Sequence, residues 1–347
     1  MPQVERNAWR GRGLTLNAPM PCQDATGVAA LLQKCPAHAV TPLRRMAELA
    51  QTAGVKELFV KDERERMGLG SFKALGAAHA IARDAAATNP EVWSTALVDR
   101  IYVTASAGNH GLSVAAGAQL FGAKAVIYIA ETVPEAFAQR LREKGADVVR
   151  EGAIYEESMA AAEQAACDKG WTLLSDSSWP GYTDLPYRVM EGYLQLASEV
   201  ALQIPSPPTH ILLQAGVGGL ATAFAAYARQ VWGDAPHILV VEPEAAPALM
   251  ESIRQGCVTE TQGPVSAMGR LDCKTPSLIA LNGLARDADF FVTISEDEAQ
   301  RAVTTLAELG YPSTPSGVAG IAALLSGLDI PKDAIVFAIL SEGPEDG

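Results

Sequence analysis

Residues 101–111 read IYVTASAGNHG, and residues 112–121 continue as LSVAAGAQLF. A short β-branched and aromatic run is followed by seven small or polar residues and then by an alanine-rich run. That order predicts a strand at 101–104, a tight turn, and a helix over 112–121. The same grammar returns at 210–232, where HILL leads into QAGVGGL and then into a second alanine-rich segment. Further strands are expected at 57–60, 125–129, 147–150, 237–241, 290–294 and 334–340. Helices are expected at 72–83, 134–144, 155–169, 185–203 and 220–232. Gly122, Gly145 and Gly170 each follow a helical run, where a terminating glycine belongs. Apolar strands alternating with helices predict an α/β fold whose parallel sheets are covered on both faces. One sheet draws on 101–150 and another on 210–340. The turn-rich stretch WPGYTDLP at 179–186 marks a boundary between them.

Composition limits what such a chain can do. It has 347 residues, with 27 Lys plus Arg against 40 Asp plus Glu, a net charge of −13. A chain this acidic lacks the general footprint for nucleic acid or for an anionic membrane surface. The uncharged stretch 211–228 reaches the lower edge of membrane-span length. Its interior holds Gln214, three glycines and Thr222, so strand, turn and helix explain it better. The five cysteines are not in CxxC spacing, and no His/Cys cluster has zinc-site spacing, so no metal site is expected. Cys257 and Cys273 could pair only if the fold brings them together. A reducing compartment, the cytoplasm, is the default. The first 40 residues are less regular, and the terminal GPEDG at 343–347 reads as a loop or tail.

Several segments could carry chemistry. In GLGSFKALG, Ser71 is a candidate N-cap and Lys73 falls in the first turn of a helix. Helix N-termini favour anions, so that place should lower the lysine pKa, as a Schiff-base lysine requires. The plain alternative is an exposed first-turn lysine. In the 104–111 loop, small residues let backbone N–H groups approach a ligand, and Asn109 could hydrogen-bond a phenolic or amide group. The plain alternative there is a strand-to-helix turn with an Asx cap. Gly216, Gly218 and Gly219, with Val217 and Leu220, form a nest of N–H donors suited to phosphate. A rival dinucleotide reading would use Glu242 as its acidic partner. Ser341 follows the last strand, where a hydroxyl faces the ligand crevice of an open sheet. Asp176 in LLSDSSWPGY and Asp272 in MGRLDCKTPSL are more often turn formers or caps than catalysts.

Taken together and in this order, these segments resemble the fold-type II pyridoxal phosphate enzymes, the family of threonine dehydratases, threonine synthases and cysteine synthases, over nearly the whole chain. The resemblance implies two α/β domains with parallel or mixed sheets and the cofactor in the cleft between them. Residues 1–60 plus 178–347 would form the larger, cofactor-binding domain, and 61–177 the smaller one. It also implies that Lys73 is the Schiff-base lysine and that Gly216, Val217, Gly218, Gly219 and Leu220 hold the cofactor phosphate. Ser341 would face the pyridine nitrogen and Asn109 the ring hydroxyl. Ser106, Ala107, Gly108 and His110 would lie along the substrate, with Ser106, Gly108 and His110 acting through their backbone.

Within this family, four segments resemble the diaminopropionate ammonia-lyases: VKDERERMGLGSFK (60–73), SDSSWPGYTDLPYRVMEGY (175–193), MGRLDCKTPSLIALNGLARDADFFVTI (268–294) and LSEGPED (340–346). In that group the acid at Asp176 sits by the substrate amine. Two positions depart from its pattern. Gly-Ser-Phe-Lys stands in place of Asn-Ala-Phe-Lys, and Ala107 stands in place of an Asp that serves as base for the D-isomer. The expected activity is therefore α,β-elimination of 2,3-diaminopropionate, L-isomer favoured, to pyruvate and ammonia. The alternative is a serine/threonine dehydratase, which the Gly-Ser-Phe-Lys form and Ala107 both suit. The resemblance further implies a homodimer acting on a small amino acid in catabolism.

Overall fold

The computed structural model describes residues 1–344. The GPEDG and LSEGPED stretches therefore reach into residues 345–347, which lie outside the described residues. Among the described residues, eleven strands form two sheets: β1 (Gln3–Arg6), β2 (Leu43–Arg45), β3 (Glu57–Asp62), β4 (Ile101–Ala105), β5 (Lys124–Ile129), β6 (Ala146–Arg150), β7 (Thr172–Leu173), β8 (His210–Gln214), β9 (His237–Pro243), β10 (Phe290–Ile294) and β11 (Ile335–Leu340). Twelve helices cover them: α1 (Thr26–Leu32), α2 (Ala47–Ala53), α3 (Lys73–Ala87), α4 (Asn109–Leu120), α5 (Glu135–Glu143), α6 (Tyr155–Lys169), α7 (Asp184–Gln203), α8 (Gly219–Trp232), α9 (Ala248–Gln255), α10 (Leu278–Asp287), α11 (Glu296–Glu308) and α12 (Pro315–Leu325).

The larger sheet runs β1-β10-β9-β8-β11-β3-β2 and the smaller β6-β5-β4-β7. The smaller sheet is parallel throughout. In the larger sheet the five inner strands are parallel, while β1 and β2 pair antiparallel at its two edges. Every residue of β8 is buried, as expected of a central parallel strand with helices on both faces. The edge strands carry no strand signal in the sequence because QVER and LRR are short and polar. The stretch 211–228 is strand, loop and helix, and no described helix is long and apolar enough to cross a membrane.

Strand order decides what lies next to what. β8, β11 and β3 are consecutive neighbours, so the segments leaving their C-terminal ends emerge side by side: the glycine loop after Gln214, Ser341 and Glu342 after Leu340, and the run from Glu63 to Lys73. In the smaller sheet β4 and β7 are neighbours, which places the 106–111 loop beside Asp176. This is the crevice outside the carboxyl ends of parallel strands, where α/β sheets bind ligands.

Local signals mostly hold. Gly122, Gly145 and Gly170 have φ of +76°, +81° and +67°, so each turns the chain out of a helix in the left-handed region. The expected Ser71 cap is not made. The helix N-cap is Phe72, without a side-chain bond, and Ser71 instead forms an antiparallel bridge with Glu342. Phe72 N–H donates to the Ser341 carbonyl at 3.1 Å, and Gly343 N–H to that of Gly70 at 2.9 Å. The start of α3 is therefore held by β-type pairing with the end of β11. The cysteines, Cys257 and Cys273 included, are free thiols.

Candidate active site

Lys73 opens α3, and its Nζ donates to Asp176 Oδ2. Burial alone would lower the lysine pKa, but the Asp176 carboxylate more than offsets this, so Lys73 is held above its ordinary value. That reverses the expectation from the helix N-terminus: an anion in contact outweighs a fractional dipole charge. Burial would likewise raise the Asp176 pKa, but Lys73 and then His110 hold it well below the carboxylate range. Asp176 is thus an anion at neutral pH. It is no mere turn former, unlike Asp272, which accepts from Ser266 N–H at 3.1 Å and pairs with Lys274 at 2.5 Å.

The 106–111 loop is organised by a serine. Ser106 Oγ accepts from Gly108 N–H at 3.2 Å and Gly111 N–H at 3.0 Å, a local cap on the start of α4. The Ser106 N–H is engaged with the Tyr128 carbonyl at 3.1 Å. So Ser106 and Gly108 do not offer the backbone donors expected of them. The N–H groups of Ala107, Asn109 and His110, at the start of α4, have no acceptor among the described residues, and unengaged donors at a helix N-terminus suit a carboxylate. His110 Nε2 meets the Leu174 carbonyl at 2.8 Å, which makes Nε2 the protonated nitrogen and leaves Nδ1 bare; burial lowers the His110 pKa. The side chain of Asn109 makes no Asx cap but donates to Glu342 Oε2. Across the cleft, Arg270 Nη1 donates to the Ala107 carbonyl at 3.2 Å, and its guanidinium lies against Gly108.

The glycine loop fits a phosphate. Gly218 has φ +95°, a conformation that disfavours any side chain. A Cβ on Gly216 would come within 2.9 Å of Cys273 Sγ and 3.0 Å of Leu271 Cα. The N–H groups of Gly216, Gly218, Gly219 and Leu220 have no acceptor among the described residues. Buried donors without partners are rare, and at the N-terminus of α8 they call for an anion. Glu242 is not the ribose acid of a dinucleotide site. It is buried and accepts from Leu249 N–H at 2.7 Å and Met250 N–H at 2.8 Å, capping α9.

Three groups that no local sequence signal marked complete the site. Tyr193 of α7 is buried edge-on to Phe72, with ring centroids 5.0 Å apart, and its hydroxyl has no partner among the described residues. Burial raises the Tyr193 pKa, and Lys73 and Asp176 are the charges that act on it. Cys273 lies by the same pair, its thiol pushed up to about 12 by burial and then by Asp176. Glu342, next to the expected Ser341, is buried at the end of β11. The Ser71 hydroxyl is also buried without a partner. A lysine, an anion cradle, orphaned hydroxyls and no metal-binding cluster among the described residues suit an organic phosphate that bonds to an amine.

The sequence model of the pyridoxal-phosphate dependent enzymes matches residues 35–342. Diaminopropionate ammonia-lyase of Salmonella typhimurium is 34% identical over 293 residues, covering 78% of this chain and 72% of that protein. Its Escherichia coli K12 counterpart is 31% identical over 346 residues, 90% of this chain and 87% of the relative. The crystal structure of the E. coli enzyme with D-serine superposes with a TM-score of 0.88 at 28% identity, covering 100% of this chain and 95% of that one. L-threonine ammonia-lyase of Thermotoga maritima is more distant, 26% identical over 88% of this chain and 71% of its own. Pyridoxal phosphate is thus the cofactor, and the chain belongs to the pyridoxal-phosphate dependent enzymes and, within them, to the diaminopropionate ammonia-lyase family.

Proposed function

We propose that the chain eliminates the β-amine of 2,3-diaminopropionate, the L-isomer favoured, so that one diamino acid and one water give pyruvate and two ammonia. The observation that carries this is the Lys73–Asp176 pair, an amine and a carboxylate in contact, next to the unengaged donors of the 107–110 loop. Pyridoxal phosphate, held through Lys73 and the glycine loop, supplies the electron withdrawal that makes the substrate's Cα acidic. Asn109 and Ser341 face its ring. The N–H groups of Ala107, Asn109 and His110 fix the substrate carboxylate. Lys73, in its neutral form, would take the Cα proton from one face. Asp176 would hold the β-ammonium as a counter-ion and steer it out as ammonia, the substrate's cation standing where Lys73 stands now and keeping the carboxylate ionised. Ala107 carries no base for the opposite face, which favours the L-isomer.

Residues 61–177, around the smaller sheet, would form one domain and the remainder the other, with the site between them. We place the enzyme in cytoplasmic amino-acid catabolism as a homodimer; free thiols suit a reducing compartment. The Gly-Ser-Phe-Lys form and Ala107 also support a second reading, a serine/threonine dehydratase, whose neutral alcohol leaving group would not need Asp176 as a counter-ion. Pyruvate (or oxobutyrate) and ammonia release with L- and D-2,3-diaminopropionate, L-serine and L-threonine separates the two. Asp176→Asn should lower kcat/KM for the L-diamino acid by roughly 100-fold or more, and for serine much less. A faster hydroxy substrate, with the diamino rate unmoved by Asp176→Asn, makes the dehydratase reading correct.

A further inference from the structure

Glu342 is a buried carboxylate with both oxygens committed. Oε1 accepts from Thr314 Oγ1 and Oε2 accepts from Asn109 Nδ2. The Thr314 hydroxyl itself accepts from Gly317 N–H at 3.0 Å, as the N-cap of α12, so its hydrogen is directed at the carboxylate. The Ser313 hydroxyl donates to the Glu342 carbonyl at 2.6 Å. A Cβ on Gly317 would come 3.0 Å from Glu342 Cγ, so the first turn of α12 also packs against the side chain. The carboxylate is therefore fixed from the α12 side and presents its remaining oxygen to the loop at the start of α4.

A primary amide has two unlike ends, one that only accepts and one that donates twice. Shape does not distinguish them; the partner does. A carboxylate oxygen that accepts can face only the donor end, and the bond is strengthened by its charge. One Nδ2 hydrogen of Asn109 is thereby committed to Glu342, and the second is left on the same nitrogen. Building on the reading of this cleft as the pyridoxal phosphate site with Asn109 at the ring oxygen, we infer that Glu342 is a positioning residue. It locks the Asn109 amide with its nitrogen toward the cofactor, so the ring oxygen meets a donor and stays deprotonated. A neutral side chain at 342 would let the amide turn over and offer its oxygen, which favours the protonated ring oxygen instead.

The test is the absorption spectrum and cofactor affinity of the holoenzyme, read without substrate. Wild type should show the visible band of an imine-bound cofactor. Glu342→Gln, which can both donate and accept, should move intensity from the visible into the near-ultraviolet band and weaken cofactor binding roughly tenfold. In an Asn109→Ala background the same substitution should change neither by more than about twofold, since its route is gone. No visible band in wild type would defeat the cofactor reading itself. A wild-type band with an unchanged Glu342→Gln spectrum and affinity would overturn the role of Glu342 and leave the cofactor reading standing. An undiminished effect in the Asn109→Ala background would overturn it too. If the Gln variant does not fold, Glu342→Asp keeps the charge but draws it back by one methylene. The same spectral shift is expected there, and an unchanged spectrum overturns the inference.

Discussion

At the scale of single residues, this protein uses buried or partly buried acids in three distinct ways, and the neighbours of each decide which. Asp176 has a lysine in contact, so charge wins over burial and the carboxylate persists. Glu342 has two side-chain donors and acts as a fixed acceptor. Glu242 has only two backbone N–H groups, and there burial wins: its pKa is pushed up to about 8. A carboxyl raised in the folded state adds stability that is complete below its unfolded value of ~4.3 and is lost as pH climbs through the folded one. Wild type should therefore lose stability relative to Glu242→Gln between about pH 5 and 8, each tenfold gain in proton affinity on folding being worth ~1.4 kcal/mol. Urea midpoints of the two proteins at both pH values measure this. Parallel pH profiles would show that the N–H groups of α9 keep Glu242 ionised throughout.

At the scale of elements, α3 and α7 bring Lys73 and Tyr193 together by touching almost backbone to backbone. A Cβ on Gly192 would lie 2.4 Å from the Leu75 carbonyl oxygen and 2.9 Å from Gly76 Cα. Replacing a mid-helix glycine by alanine usually gains up to about 1 kcal/mol. Here the obstacle is backbone, which cannot move aside, and overpacking costs about 1–3 kcal/mol. Gly192→Ala should thus be destabilising on balance, with a lower melting temperature and weaker cofactor retention as α3 is pushed from α7; a gain in stability would refute the close contact. The same contrast explains what is legible in the sequence. Lys73, the 106–111 loop and the 216–220 loop are readable because close approach of backbone to a ligand demands small residues adjacent in sequence. Asp176 in isolation reads as a turn former, and only its resemblance to a known acid suggests otherwise. Tyr193, Cys273 and Glu342 leave no local mark, since strand order and helix crossing alone carry them to the site. The engagement of the Ser106 and Gly108 N–H groups is equally hidden, because their acceptors, Tyr128 and the Ser106 hydroxyl, depend on sheet register and loop shape.

At the scale of the whole molecule, the run that delivers Lys73 is anchored by charge rather than by apolar packing. Between the end of β3 and the start of α3, Lys61, Glu63 and Arg66 are fully buried, and Glu199 of α7 joins them. Lys61 Nζ lies 2.7 Å from Glu199 Oε2; Arg66 reaches the same carboxylate at 2.7 Å and Glu63 at 2.8 Å. Thr41 donates to Glu63 at 2.5 Å, and its carbonyl accepts from Lys61 at 2.7 Å. Burial would raise the Glu199 pKa, but Arg66 and Lys61 hold it low. Such a cluster adds little over a well-packed apolar one, yet it penalises any gap severely, because the buried charges left behind no longer balance and no water replaces the lost one. Glu199→Ala leaves one carboxylate, Glu63, to balance two buried cations, with Lys61 keeping only neutral partners, and should cost about 3–5 kcal/mol of folding stability. It should also loosen the 63–73 run, so the surviving folded protein should hold pyridoxal phosphate less tightly. Denaturant unfolding and cofactor titration on the same preparation check both halves. A loss below about 1 kcal/mol, the scale of an exposed pair, would mean that water reaches the cluster and that packing, not charge, fixes Lys73 in place.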